Sequence, residues 1–175
     1  AARLILSRHE GLAGLRVVVS AGGTREAIDP VRFIGNRSSG KMGYALAQAA
    51  RDRGADVILI HGPTALEKPY GVNAVAVESA EQMRSAVLEA VTDADALIMT
   101  AAVADYRPET AAEQKIKKSE AGISLDLVRT TDILAEVAAK RTDCSRLKAV
   151  VGFAAETESL LVNAREKLTR KQLDI

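Results

Sequence analysis

The chain has 175 residues, enough for one domain with a sizeable core, and no shift of composition along it asks for a second. Its 24 Lys and Arg against 23 Asp and Glu leave a net charge of +1, which draws it neither to nucleic acid nor to an anionic membrane, so any anion site has to be local. A single cysteine, Cys144, excludes an internal disulfide framework and a cysteine-rich zinc site, and His9 and His61 alone argue against a histidine-based metal centre.

The start, "AARLILSRHEGLAG", is too broken by charge for a signal peptide, and no apolar run approaches the roughly 20 residues that span a bilayer. The expected location is the cytoplasm. Residues 1–15 lack periodicity and read as a linker, with the folded domain expected over 16–175. "RVVVSAGG" reads as a buried strand ended by glycines. A long polar loop, "TREAIDPVRFIGNRSSG", precedes the helical run "KMGYALAQAARDRG", in which Met42, Ala45, Leu46 and Ala49 recur at helical spacing and Gly54 marks the stop. The pattern continues with strands "DVILIHG" and "NAVAVES", helix "AEQMRSAVLEAV", strand "ALIMTAAV", helix "TDILAEVAAKR", strand "KAVVGFAAE" and helix "SLLVNAREKLTRKQ". The last residues, "LDI", read as a strand that begins as the chain stops. Strands alternating with helices predict an α/β, Rossmann-like three-layer sandwich with a mainly parallel central sheet. Scarce aromatics (3%, no Trp) suit helices packed closely on such a sheet. One segment breaks the rhythm: "TAAEQKIKKSEAGISLDLVRT" is highly charged and reads as a basic flap with a short excursion strand at "ISLDLV".

Open α/β sheets bind ligands at the carboxyl ends of their strands, which directs attention to the loops there. "GNRSSGKMG" comes within one residue of a P-loop: Gly35, Gly40 and Lys41 are spaced correctly, but Met42 stands where a Ser or Thr would hold Mg²⁺. In one reading Ser38, Ser39 and the amides of Gly40 and Lys41 open the helix toward an anion; in the other Ser39 is an ordinary N-cap and Lys41 is solvated. Gly22 and Gly23 permit either close approach of a ligand or a turn. Asn36 either caps a turn or donates its amide to charge developing on an acyl group. Asp105 follows the small residues Ala101 and Ala102 at a strand end, where it can hold Mg²⁺ or a ligand hydroxyl, or simply end the strand. Lys115, Lys117 and Lys118 in the flap, and Lys167 with Lys171 one helical turn apart, are either solvated or phosphate contacts. Neither glycine loop fits GxGxxG, and no acid stands at the expected distance for a ribose, which weighs against an NAD(P)-dependent oxidoreductase without removing it; a non-catalytic nucleotide-binding module also stays open.

Taken in order, "SAGGTREAIDPVRFIGNRSSGKMG", "AAVADYR", "KIKK" and "VGFAAET" resemble the phosphopantothenoylcysteine synthetase (phosphopantothenate-cysteine ligase) family of coenzyme A biosynthesis, over about residues 16–175. The resemblance implies that CTP and Mg²⁺ activate the carboxylate of 4′-phosphopantothenate as an acyl cytidylate, with release of pyrophosphate, and that cysteine then displaces CMP. It assigns Asn36 and Lys115 as catalytic. It places Gly22, Gly23, Ser38, Ser39, Gly40, Lys41, Ala101, Ala102, Asp105, Phe153, Lys167 and Lys171 around the nucleotide, with Asp105 on the metal. It further implies a homodimer, a fused flavin-dependent decarboxylase half that carries FMN and is absent here, and a C-terminal part of the fold beyond Ile175. Nucleic acid and membrane are not among the implied partners.

Overall fold

The computed structural model describes residues 11–118, 122–154 and 160–175. Its centre is a five-stranded parallel sheet in the order β5-β4-β1-β6-β9, formed by β1 (Arg16–Ala21), β4 (Asp56–His61), β5 (Asn73–Ala76), β6 (Ala96–Met99) and β9 (Ala149–Gly152). Two short antiparallel ribbons stand apart, β2 (Glu26–Ala27) with β3 (Phe33–Ile34), and β7 (Tyr106–Pro108) with β8 (Leu127–Arg129). The helices are α1 (Lys41–Asp52), α2 (Ala80–Val91), α3 (Ile133–Lys140) and α4 (Leu160–Arg170).

β1 is apolar on both faces because it lies between β4 and β6 and is covered twice. Its side chains alternate across the sheet: Val17, Val19 and Ala21 join Tyr44, Ala47 and Ala50 of α1 in one core, while Val18 joins Met83, Val87, Val91, Ile133 and Val137 of α2 and α3 in the other. That is the three-layer sandwich. Register is set by this alternation, since a slip of one residue would exchange the two faces.

Local chemistry marks the helix starts. Ser79 forms a capping box with Gln82 at α2, and the Asp132 side chain accepts from the Ala135 amide at α3. At α1 the cap is Gly40 in the left-handed region (φ 74°), one residue beyond the Ser39 cap considered from sequence, with no side-chain cap. The buried stripe of α1 also departs from the periodic set Met42, Ala45, Leu46 and Ala49. It consists of Gly43, Tyr44, Ala47, Ala50 and the buried Arg51, and Met42 is 48% exposed. Gly43, with no room for a Cβ against Ala21, selects the side on which α1 approaches the sheet.

Other expectations shift. The polar loop after β1 contains the β2/β3 hairpin, whose turn is built by the Asp29 carboxylate accepting from the Val31 and Arg32 amides, both at 2.8 Å. A side chain bonding its own backbone leaves no hydrophobic period to read. The excursion strand is Leu127–Arg129, not Ile123–Val128, because only those residues find a partner strand, Tyr106–Pro108. "LDI" is no strand, yet the Asp174 amide donates to Val150 O and the Gly152 amide to Ile175 O, so the segment is bound beside β9. Of the expected linker, residues 1–10 lie outside the described residues; Leu12 already packs on the α1 core and its amide donates to Arg53 O. Among the described residues no helix is long and apolar enough to cross a membrane.

Candidate active site

The strand order reverses between β1 and β6: the chain moves outward from β1 through β4 to β5, then returns to β6 and β9 on the other side. Loops diverge at such a point and leave a crevice beyond the strand ends. A cleft of about 690 Å³ lies on the β6/β9 side of this point. Asn36, Arg37 and Ser38 line one wall, residues 99–106 the floor, residues 129–134 a second wall, and Phe153, Ala154, Lys167 and Lys171 the rim.

The floor is irregular backbone held from several sides. Ser20, fully buried in β1, accepts on Oγ from the amides of Thr100 and Ala101, each at 3.1 Å. The Ala102 amide donates to Gly22 O, and the Thr24 amide to Ala102 O. Thr24 Oγ1 accepts from the Ala104 amide at 2.9 Å; Thr130 Oγ1 donates to Ala104 O at 2.6 Å; and the Thr130 amide donates to Asp105 O. Asn36 Nδ2 donates to Val103 O at 3.0 Å. A bed whose polar groups are committed in advance reorganises little when a flat ligand lands on it.

Of the residues singled out from sequence, Asn36, Ser38, Ala101, Ala102, Asp105, Phe153, Lys167 and Lys171 meet at this cleft. Phe153, one of the lining residues, is 54% exposed. Lys171 Nζ lies 3.0 Å from Asp132 Oδ2. Burial raises the Asp132 carboxyl, but Lys171 and the Ala135 amide outweigh it, so its pKa falls below the ordinary carboxylate range.

Gly22, Gly23, Ser39, Gly40, Lys41 and Lys115 do not line the cleft. The glycines bring backbone to backbone instead: a Cβ on Gly23 would lie 2.6 Å from Asn36 O, and Gly35 and Gly62 have no more room, against Thr24 O and Gly23 O respectively. Ser38 Oγ and Ser39 Oγ accept from the Gly40 and Lys41 amides, at 3.3 and 3.5 Å, so the loop engages its own donors. The side chains of Lys41 and Lys115 are exposed.

Sequence reasoning missed Ser20, Thr24, Thr130 and Asp132. The available signal was a hydroxyl inside an apolar strand, "VVVSAGGT", which has no reason to be there unless a partner waits across the sheet. Among the described residues no three acidic, histidine or cysteine side chains cluster, so Asp105 has no ready-made metal cage around it.

Fold and cleft together define a Rossmann-like α/β domain with its ligand crevice at the switch point of the sheet. The chain belongs to the DNA/pantothenate metabolism flavoprotein C-terminal domain family, which matches residues 12–175. It is 52% identical over 166 residues to a Vibrio cholerae protein described as the coenzyme A biosynthesis bifunctional protein CoaBC, covering 94% of this chain and 41% of that protein. A Mycobacterium tuberculosis protein of the same description is 51% identical over 186 residues, covering 99% of this chain and 44% of its own length. The chain thus spans less than half of these curated relatives. A crystal structure of the C-terminal domain of a CoaBC protein superposes with a TM-score of 0.81 at 44% identity, covering 93% of this chain and 76% of the other.

Proposed function

We propose that this domain catalyses the CTP-dependent joining of 4′-phosphopantothenate to cysteine, through an acyl cytidylate, as a step of coenzyme A biosynthesis in the cytoplasm. The observation that carries the reading is the convergence of Asn36, Asp105, Phe153, Lys167 and Lys171 on one cleft whose floor is backbone bonded in advance. Its relatives bear names from that pathway.

A carboxylate is a poor acyl donor until its oxygen leaves on phosphorus. The pantothenate carboxylate attacks the α-phosphorus of CTP and pyrophosphate departs; the cysteine amine then attacks the acyl carbon, loses a proton, and CMP leaves. In this scheme the small residues Ala101 and Ala102 let base and ribose lie on the floor, with Phe153 against a ring face. Lys167 and Lys171 meet phosphate, Lys171 exchanging its Asp132 contact for a more highly charged partner. Asp105 would hold Mg²⁺ as a single carboxylate beside phosphate oxygens, and the ion would supply neutralisation of developing phosphate charge. Asn36 orients the acyl group with its amide, and Lys115 offsets charge on the activated intermediate. Gly22, Gly23, Ser39, Gly40 and Lys41 serve the nucleotide indirectly, by shaping the loop that carries Asn36 and Ser38.

An NAD(P)-type reading is disfavoured because residues 22–40, hairpin included, separate β1 from α1, whereas a dinucleotide site needs the helix directly after the strand turn. We further propose that the protein is a homodimer, in which Lys115 serves its own or the partner's cleft, and that a flavin-dependent decarboxylase holding FMN is fused to the domain. Exposed Val31, Phe33, Tyr106 and Leu127 on and beside the two ribbons supply apolar surface for a second copy, and sedimentation tests this. The test of function is turnover: pyrophosphate and CMP should form only with CTP, 4′-phosphopantothenate, cysteine and Mg²⁺ together. Equal activity with ATP would overturn the nucleotide assignment, and no product under any nucleotide would overturn the reaction.

A further inference from the structure

Asp29 has a side chain wholly excluded from solvent, although it sits in the turn of a hairpin with only two residues in each strand. A buried carboxylate is costly unless both oxygens are bonded. Here they are, and in different ways. Oδ1 closes the turn itself, accepting from the Val31 and Arg32 amides. Oδ2 is spent on a distant segment: it accepts from the Ile116 amide at 3.2 Å and pairs with Arg32 at 3.2 Å. Arg32 completes the arrangement by donating its other terminal nitrogen to Ile116 O at 3.1 Å. Both backbone polar groups of Ile116 are therefore held by one carboxylate-guanidinium pair more than 80 residues earlier in the chain. The Ala112 amide donating to Ile28 O adds a third tie between the same two segments.

Ile116 directly follows Lys115, and the hairpin's second strand runs through Gly35 into Asn36, which is itself bonded to Val103 O on the cleft floor. The same small element thus adjoins both residues assigned to catalysis. A turn residue needed for the hairpin alone would require only Oδ1, and it would be free to face water.

We propose that Asp29 and Arg32 are positioning residues that clamp the base of the flap, so that Lys115 is presented in fixed relation to the Asn36 loop and its cleft. This rests on the ligase reading above. Neither residue touches substrate; each acts through Lys115.

The experiment is a double-mutant cycle in the full-length protein. Asp29→Asn keeps shape but turns a donor toward the Ile116 amide, and Arg32→Lys keeps charge while losing the forked geometry on Ile116 O; the second variant leaves the Asp29 turn intact, so it reports even if the first fails to fold. Each should accelerate hydrogen exchange at the Ile116 amide and lower kcat by roughly tenfold to a hundredfold, the factor for a hydrogen bond to a charged group, with KM for CTP within about twofold. In a Lys115→Gln background the same substitutions should lower kcat by less than about twofold more, since a route already cut cannot be cut again. Losses that multiply with that of Lys115→Gln would overturn the proposal, as would unchanged kcat in Arg32→Lys. If the wild-type protein makes no product at all, the ligase reading falls instead, and Ile116 exchange still decides whether the clamp exists: rates unchanged in Arg32→Lys would remove it.

Discussion

Gly43 lies in the first turn of α1, where alanine is favoured by about 1 kcal/mol on helix propensity alone. Gly43→Ala is nevertheless expected to destabilise the protein. A Cβ at this position would lie 2.5 Å from Ala21 Cβ, 2.7 Å from Ser20 O and 2.7 Å from Thr100 Oγ1. Carbon pairs pack at about 3.5–4.0 Å, so the first contact alone is roughly 1 Å too short, and it involves an atom fixed to the central strand. The Thr100 hydroxyl cannot simply rotate away, because it donates to Ser20 O at 2.6 Å. Overpacking of a core costs about 1–3 kcal/mol and loss of that hydrogen bond about 1 kcal/mol more, which exceeds the propensity gain. The net expectation is a loss of about 1–3 kcal/mol, read as a lower urea midpoint at unchanged m-value and a Tm lowered by roughly 3–10 °C. Gly11→Ala, whose Cβ would meet nothing within 4 Å, is the control and should be neutral or slightly stabilising. A Gly43→Ala protein as stable as the wild type would show that α1 can shift on the sheet at no cost, and would refute the close-packing argument.

Three further outcomes are expected. The Arg84 guanidinium, with Lys140 beside it, holds the Glu136 carboxyl at about 2; because the folded value is depressed, this stabilisation is present above the ordinary glutamate range and is lost as pH falls toward 2, so Arg84→Met should flatten the acid limb of stability against pH in that window, measured by urea midpoints. Asn36→Asp replaces the donor on Val103 O by a carboxylate oxygen facing a carbonyl, and should cut product formation at least about tenfold while rapid-quench sampling still detects cytidylate; wild-type rates in both half-reactions would return Asn36 to a loop role. Lys171→Met should weaken CTP binding by roughly 1.5–3 kcal/mol in calorimetry, and more than Lys41→Met does, because Lys171 lines the cleft and Lys41 does not; the reverse order would put the phosphates at the start of α1.

The sequence by itself determined the layers and the mainly parallel sheet. Residues 17–19, 57–60 and 97–99 are apolar without interruption because each strand is covered on both faces, and that pattern needs no tertiary knowledge to read. The loops to inspect followed, since ligands of open α/β sheets bind at the carboxyl ends of the strands, and the motif set around Asn36, Asp105 and Lys115 already pointed to one family. What only the tertiary structure decided is which atoms those loops bond. Gly22 and Gly23 read as room for a ligand or as a turn, and they accommodate neighbouring backbone, as Gly35 does, because close approach of two chains and close approach of a phosphate demand the same absent Cβ. The hydroxyl of Ser20 in an apolar strand signals that a partner exists, but not that Ser20 and Thr24 each meet an amide 80 residues away, nor that Thr130 donates to Ala104 O. Asp29 read as a loop residue and became the junction of hairpin and flap, since a short polar side chain is locally a turn former whether or not its second oxygen is claimed by a segment 87 residues away. Periodicity records burial, which is a property of one element; hydrogen bonding across elements is a property of a pair, and only folding brings the pair together.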